Sequence, residues 1–322
     1  MSEEYIYAVA RVRSREVSLL GKNDLERLMA CPNEGECLRV LRDKGWGRGE
    51  GSSSPEELLA AEEEKTWSFL RELTKDTAPF APLLLPIDGN NLKAAIKCAA
   101  TETQPHGVFL PGGQWESDDL LRMARERDFS ALPPILAEAA EKAMQTLLQT
   151  GDSQLCDVFL DRACLEEILR LGKESRLDAL EKYSEWTVAT ANIQTAARAC
   201  KANKNREFLE LALAPCETLN VKELTEAAAR GMEKILEYLA STPYGEGVEK
   251  LRKSASAFEK WRDDRAMELI QGEKGEYFSA GPLFAYAVAR RREIDTVRII
   301  LSGKRNGLED GKLRERLRET YV

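Results

Sequence analysis

Apolar residues recur at helical spacing through most of the chain, and the pattern turns on one short phrase. In Asn91-Leu92-Lys93-Ala-Ala-Ile96-Lys97, the side chains of Leu92, Ala95, Ile96 and Ala99 fall at i, i+3, i+4 and i+7, one apolar face of a helix. The phrase returns as Ala191-Asn192-Ile193-Gln194-Thr-Ala-Ala-Arg198 and again as Asp295-Thr296-Val297-Arg298-Ile-Ile-Leu301. Anchored on Asn91, Asn192 and Thr296, the intervals are 101 and 104 residues. Upstream, Asp161-Arg162-Ala163 recurs as Asp264-Arg265-Ala266. Downstream, similar helical openings stand at Asp24-Leu-Glu-Arg-Leu28, Asp119-Leu-Leu-Arg-Met123 and Glu223-Leu-Thr-Glu-Ala227, with an echo at Lys312. Tyr7-Ala-Val-Ala-Arg11 is repeated letter for letter at Tyr286-Ala-Val-Ala-Arg290. A period near 100 residues exceeds the roughly 20–50 of small solenoid repeats. It predicts three divergent helical modules, the chain beginning part-way through one: 1–50 with 246–322, then 51–150, then 151–245. The alternative, that helical sequences simply resemble one another, stays open on the residues alone.

In chain order, the pattern predicts a helix over 5–20, punctuated by Gly21, with Asn23 or Asp24 capping the next. The Gly/Ser-rich run 45–55 reads as a loop, and Ser54-Pro55 opens a Glu/Leu-rich helix reaching about Lys75. Pro79, Pro82 and Pro86 are expected to break the chain, with Asp88 capping the first Asn-Leu-Lys helix. That makes the first module's helices shorter than their counterparts. A loop follows at 104–114, then helices parted near Pro133-Pro134. Residues 153–201 are almost continuously helical, with a pause near Gly172 and further breaks at Pro215 and Pro243. The last long helix is expected to start at Pro282 and stop at Gly303. No segment alternates cleanly enough for a strand, so the expected class is all-α.

Composition narrows the function. The chain has 322 residues, 32% of them charged, and a net charge of −8. Nucleic acid is therefore an unsuitable partner. The acidity is uneven: residues 290–318 hold ten Lys/Arg against five acids. That segment is either a solvated helical face or a surface for an acidic partner or lipid headgroups. Seven cysteines at irregular spacing, with no CxxC pair, fit reduced and mostly buried thiols. The amino terminus has no basic or apolar run of signal-peptide type, and no stretch approaches the ~20 apolar residues of a membrane span.

Chemistry-bearing motifs are sparse. The one histidine, His106, lies in a Pro/Gly loop, so no His-x3-His zinc pair is available. Gly45–Gly51 lacks the Lys-Ser/Thr of a phosphate loop, and there is no Gly-x-Ser-x-Gly elbow. Asp264 and Glu268 would share a helix face, as in magnesium-binding helical synthases. Met267 interrupts that motif and no second acidic cluster accompanies it. The expectation is no catalytic residue, no metal and no cofactor: a scaffold or coupling part.

The chain resembles the family of V-type ATPase C subunits, whose eukaryotic counterpart is the d subunit. The resemblance rests on Tyr7-Ala-Val-Ala-Arg-Val-Arg13, Leu19-Leu20 and Asp24–Leu28, on Asp88 with Asn91-Leu92-Lys93, and above all on Glu293–Leu308 and Leu313–Val322. It implies three similar helical bundles in a pseudo-threefold, funnel-like arrangement. It also implies a central-stalk rotor component, one copy per complex, that joins the D and F subunits of the shaft to the membrane proteolipid ring. Such a component is cytoplasmic and held peripherally at the membrane through that ring, without inserting itself. Asn91, Lys93, Asn192, Gln194 and Arg298 are then either helix caps and solvated positions or a repeated inner face touching the shaft. Lys304 and Arg305 in the basic segment are the better interface candidates. The competing function is a general helical adaptor with an unrelated partner.

Overall fold

The computed structural model describes residues 4–47 and 54–322. Most of the Gly/Ser-rich run, and the first three residues, lie outside them. Among the described residues there are helices, short 3-10 turns and no strand, so the protein is all-α. Its contacts divide it into two compact units, residues 1–77 with 249–322, and residues 78–248.

The unit formed by both chain ends contains α1 (Glu4–Glu16), α2 (Lys22–Met29), α3 (Glu34–Asp43) and α4 (Pro55–Leu73). After α13 (Val248–Lys253) the chain supplies α14 (Ala255–Gln271), α15 (Gly281–Arg305) and α16 (Asp310–Arg314) to it. Local chemistry sets the boundaries. Asn33 accepts the Glu36 N–H at 3.0 Å to start α3, and Ser54 accepts the Glu57 N–H at 3.1 Å to start α4. Helix α15 is the axis of this unit. Its first ten residues, Gly281–Arg290, are all buried, and further on Ile294, Val297, Ile300 and Leu301 join a core with Leu25, Leu28, Leu41 and Leu58. A helix apolar all round belongs inside a fold rather than on its surface.

The central unit contains α5 (Ala81–Ala100), α6 (Ser117–Glu126), α7 (Pro134–Thr150), α8 (Ser153–Glu174) and α9 (Asp178–Lys201). Three shorter helices complete it: α10 (Arg206–Ala212), α11 (Val221–Arg230) and α12 (Met232–Ala240). Its core joins Leu92, Ala95 and Ile96 of α5 to Leu160, Ala163 and Ile168 of α8 and to Leu136, Ala140 and Ala143 of α7. A β-carbon at Gly89 would stand 2.5 Å from the Cys164 sulfur, so glycine permits the close packing of α5 on α8.

Three expectations need correction. The prolines do not break the chain before Asp88: α5 runs from Ala81 through Pro82 and Pro86, and Asp88 is a buried mid-helix residue. Pro82 sits in the first turn, where its missing N–H would be unpaired anyway. Pro86 sacrifices one helical bond inside a segment whose Leu83, Leu85 and Leu92 are buried. Asp24 is not a cap but the third helical residue, reaching back to the Gly21 N–H at 3.3 Å. Gly303 lies inside α15, and the left-handed turn falls at Gly307, φ 63°. Glycine is needed at 303 because Leu313 packs there, 2.7 Å from where a β-carbon would stand.

Candidate functional site

The repeated phrase lies on three long helices, α5, α9 and α15, and its aliphatic residues Leu92, Ile193 and Val297 are buried. On α5, Asn91 is buried and its amide clamps a loop by both edges. Its Nδ2 donates to the Leu110 carbonyl and its Oδ1 accepts the Leu110 N–H, each at 2.8 Å. On α9, Asn192 repeats this with Ala214: Nδ2 donates to the carbonyl at 2.7 Å and Oδ1 accepts the N–H at 2.9 Å. A side-chain amide is uncharged and carries a donor and an acceptor side by side, as one residue's N–H and C=O require. On α15 the position is Thr296, whose hydroxyl bonds back to the Arg292 carbonyl, 2.9 Å away. Here a cavity of about 20 Å³ lies among Leu19, Leu20, Thr296, Thr320 and Tyr321, room for one water.

A second element recurs that sequence reasoning missed. Three residues before Asn91, the Asp88 carboxylate accepts the N–H of Gln114 at 2.8 Å, of Trp115 at 3.4 Å, and the Gln114 side-chain amide at 3.1 Å. Two turns before Asn192, Glu185 accepts the N–H groups of Glu217 and Thr218 and the Thr218 hydroxyl, at 2.8, 2.7 and 2.7 Å. Three residues before Thr296, Glu293 accepts the N–H of Leu20 at 2.5 Å. In each case the donor precedes a short helix, α6, α11 or α2, and stands a few residues before the Asp/Glu-Leu opening that the sequence repeats. Each long helix thus holds by a carboxylate the loop that launches a short one. The detectable signal is a carboxylate at −3 or −7 from the anchor, the same helix face.

Electrostatics differ among the copies. Burial pushes the Asp88 carboxyl up, against the Gln114 and Trp115 donors that pull it down. Burial likewise raises Glu293, only partly countered by Arg290. Arg290 is itself buried, bonded to Glu293 and, at 2.5 Å, to Glu62. Glu62 also accepts the Gly47 N–H at 2.9 Å and Lys65 at 2.7 Å.

Two residues past each anchor stand Lys93, Gln194 and Arg298. Lys93 pairs with Asp161 of α8 at 2.6 Å, and Arg298 pairs with Glu63 of α4 at 2.9 Å and Asp295 at 2.5 Å. Gln194 is half-buried on α9. Lys304 donates to the Met29 carbonyl at 2.6 Å and to Asp310 at 2.9 Å, and Arg305 reaches Glu34 at 2.8 Å and Glu56 at 2.9 Å. The structure therefore places the seven candidates in three groups, one on each long helix, and gives Lys304 and Arg305 the task of joining α15 to α2, α3 and α4. Of the acidic constellation on α14, Asp263 is buried among Arg262, Arg292 and Arg318, at 2.8, 2.7 and 3.1 Å. Asp264 takes Lys260 at 3.0 Å and the Glu319 N–H at 2.8 Å, and Glu268 pairs with Arg265. Among the described residues no three His, Cys, Asp or Glu side chains converge as metal ligands. Nor is any helix long and apolar enough to cross a membrane. In this arrangement side chains of the long helices hold the backbone of loops.

The family model for the ATP synthase (C/AC39) subunit matches residues 8–316. The chain is 22% identical over 317 residues to the C subunit of the V-type sodium ATPase of Enterococcus hirae, covering 96% of this chain and 97% of that one. It is 22% identical over 340 aligned positions to the C subunit of the A-type ATP synthase of Halorubrum lacusprofundi, covering 97% and 96%. Over 148 residues, 44% of this chain and 40% of the relative, it is 30% identical to the C subunit of the A-type ATP synthase of a Desulfurococcus species.

Proposed function

The chain belongs to the ATP synthase (C/AC39) subunit family, and from that premise we propose that it is a non-catalytic central-stalk component of a rotary ATPase or ATP synthase. In this reading it couples the D and F subunits of the shaft to the proteolipid ring and passes torque between them for proton or sodium transport. It is held at the cytoplasmic face through the ring, one copy per complex. The observation that carries the reading is a family match along almost the whole chain, with two relatives, each a C subunit by name, aligned end to end.

The physics supports it. A torque-bearing part needs stiff rods, and α5, α9 and α15 are helices of 20, 24 and 25 residues, each tied by side-chain hydrogen bonds to a loop. The partition into modules 1–50 with 246–322, 51–150 and 151–245 belongs to the same proposal. What favours it is that each carboxylate latch closes within one of those modules, the last across the two chain ends. Contact with the shaft is assigned to the repeated positions. Asn91 and Asn192 are buried, so they serve it by holding their loops, with Lys93 and Gln194 two residues further along the same helices; Lys304 serves it by joining α15 to α2. Arg298 and Arg305 keep 49% and 47% of their side-chain surface exposed and can reach a partner directly.

The test is a pull-down of the tagged full chain with purified D–F shaft and, separately, with detergent-solubilised ring. Binding to both is the expected result. Binding to neither by a demonstrably folded chain would overturn the proposal and leave the general helical adaptor.

A further inference from the structure

The pentapeptide Tyr-Ala-Val-Ala-Arg occurs twice in one unit, and the two copies end in opposite surroundings. In α15, Tyr286 is 5% exposed and Arg290 is 7% exposed. That guanidinium lies 5.2 Å from the centre of the Trp46 ring and carries two carboxylates of its own chain, Glu62 and Glu293. In α1, Tyr7 is 64% exposed. The Arg11 guanidinium donates to the Tyr7 hydroxyl at 2.6 Å and lies 5.6 Å from the centre of that ring. It is also 5.7 Å from the centre of Phe69, and Arg15, one turn on, is 5.1 Å from the same ring. Among the described residues no carboxylate pairs with either arginine. Phe69 links the copies, since its other ring contact is the edge of Tyr286, centroids 5.7 Å apart.

We infer that the α1 face formed by Tyr7, Arg11 and Arg15 is a docking surface for an acidic segment of a partner protein, which supplies from outside the carboxylates that Glu62 and Glu293 supply inside. Charge complementarity selects the occupant. Two guanidiniums one helical turn apart match a pair of Asp or Glu side chains at i and i+4 of a partner helix, or on adjacent turns of a loop. The aromatic faces fix each guanidinium in place while leaving N–H edges free, so little side-chain freedom is lost on binding. Exposed Tyr7 adds an aromatic contact beside the charges. The same requirement is met or unmet by one sequence according to its surroundings. The inference stands apart from the rotary reading.

The test is photocrosslinking in the protein's own cells, with benzoylphenylalanine replacing Ser14, an exposed residue between the two arginines. The expected result is a crosslink to a protein segment bearing at least two carboxylates within one helical turn. Its yield should fall about tenfold in Arg11→Gln/Arg15→Gln, and stay within about twofold in Arg11→Lys/Arg15→Lys, which keeps both charges. If the double glutamine variant melts lower than the unsubstituted chain, Arg15→Gln alone is the companion, with a several-fold loss expected. A crosslink to lipid, to a second copy of this chain, or to a segment without carboxylates would overturn the inference. So would no crosslink, or a yield indifferent to the glutamines. Co-purification with the other ATPase components, read from the same cells, reports on the rotary proposal separately.

Discussion

The anchors on α5 and α9 and the anchor on α15 solve one problem by different chemistry. In the central unit the loop to be held follows its own helix, 19 residues after Asn91 and 22 after Asn192, and a neutral amide holds it. In the unit built from both chain ends, the launched helix α2 is tied through Leu20, 273 residues before its latch Glu293. There the amide is absent and buried charge takes over, with Arg290 joining Glu293 to Glu62, which lies 228 residues before the arginine in sequence. An amide clamp satisfies backbone groups without desolvating an ion. A buried ion network is stronger and more directional, but it is costly to leave incomplete. Sequence-local loops carry an amide clamp beside their carboxylate latch, and the closure of the chain ends has the latch and its arginine without the amide.

The largest effect expected from breaking this contrast is in the charged copy. Arg290→Ala leaves buried Glu293 without its arginine and Glu62 with only Lys65 as a charged partner, and should cost about 3–5 kcal/mol, the usual penalty for removing one partner of a buried pair. Urea unfolding of the full chain, followed by far-UV circular dichroism, measures it; a loss below about 1 kcal/mol would mean that water replaces the guanidinium. In the amide copies the loss should be smaller and graded. Asn192→Ala leaves the Ala214 N–H and C=O unpaired at a site with Ala214 fully buried, for about 2–4 kcal/mol. Asn91→Ala should cost about 1–2 kcal/mol, because Leu110 is 46% exposed and water can bond the freed groups. Equal losses at the two asparagines would contradict the burial argument.

The sequence made the two asparagines visible but not the clamps they form, and it hid the carboxylates, for physical reasons. A clamp needs asparagine, so Asn91 and Asn192 stand out in helices that otherwise disfavour that residue. A carboxylate latch can be Asp or Glu at −3 or −7, and in a chain with 55 acids such positions are not distinctive. Asp88 reads as a cap because three nearby prolines argue for a helix start. Local preference lost there to the burial of Leu83, Leu85 and Leu92. The repeated Tyr-Ala-Val-Ala-Arg was legible as letters, but its two fates were not. Whether Arg290 or Arg11 meets a carboxylate depends on Glu62 and Glu293, and which arginine lies beside them is set by packing that no local pattern reveals. Gly303 likewise reads as a stop until Leu313 is seen packed against it.

The threonine copy can be pushed toward the other two. Thr296→Asn places an amide in the cavity of about 20 Å³ beside Thr320 and Tyr321. If the tail can take it as Leu110 and Ala214 do, the chain should gain about 0.5–1 kcal/mol from one added bond. The shift in urea midpoint at unchanged slope measures this. A loss of similar size would show that the third site is too tight for an amide and that its threonine was selected by space.

The smallest effect tests the carboxylate of the first latch by pH. Burial raises Asp88 above its ordinary value of 3.8. The folded chain therefore binds this proton more tightly than the unfolded chain, and stability falls as pH rises from 3.8 through the folded value. Above that value the cost is fully present. Asp88→Asn removes the titration while Oδ1 still accepts the Gln114 N–H, so the variant should lose stability at about pH 3 and recover relative to the parent as pH rises. The crossing should span about 1 kcal/mol or less, since Gln114 must turn its amide to meet the new donor. Parallel pH profiles of the two proteins, read as urea midpoints, would mean that Asp88 has the same value folded and unfolded, its three donors at Gln114 and Trp115 balancing its burial. A parent that gains on the variant as pH rises would mean that those donors outweigh the burial.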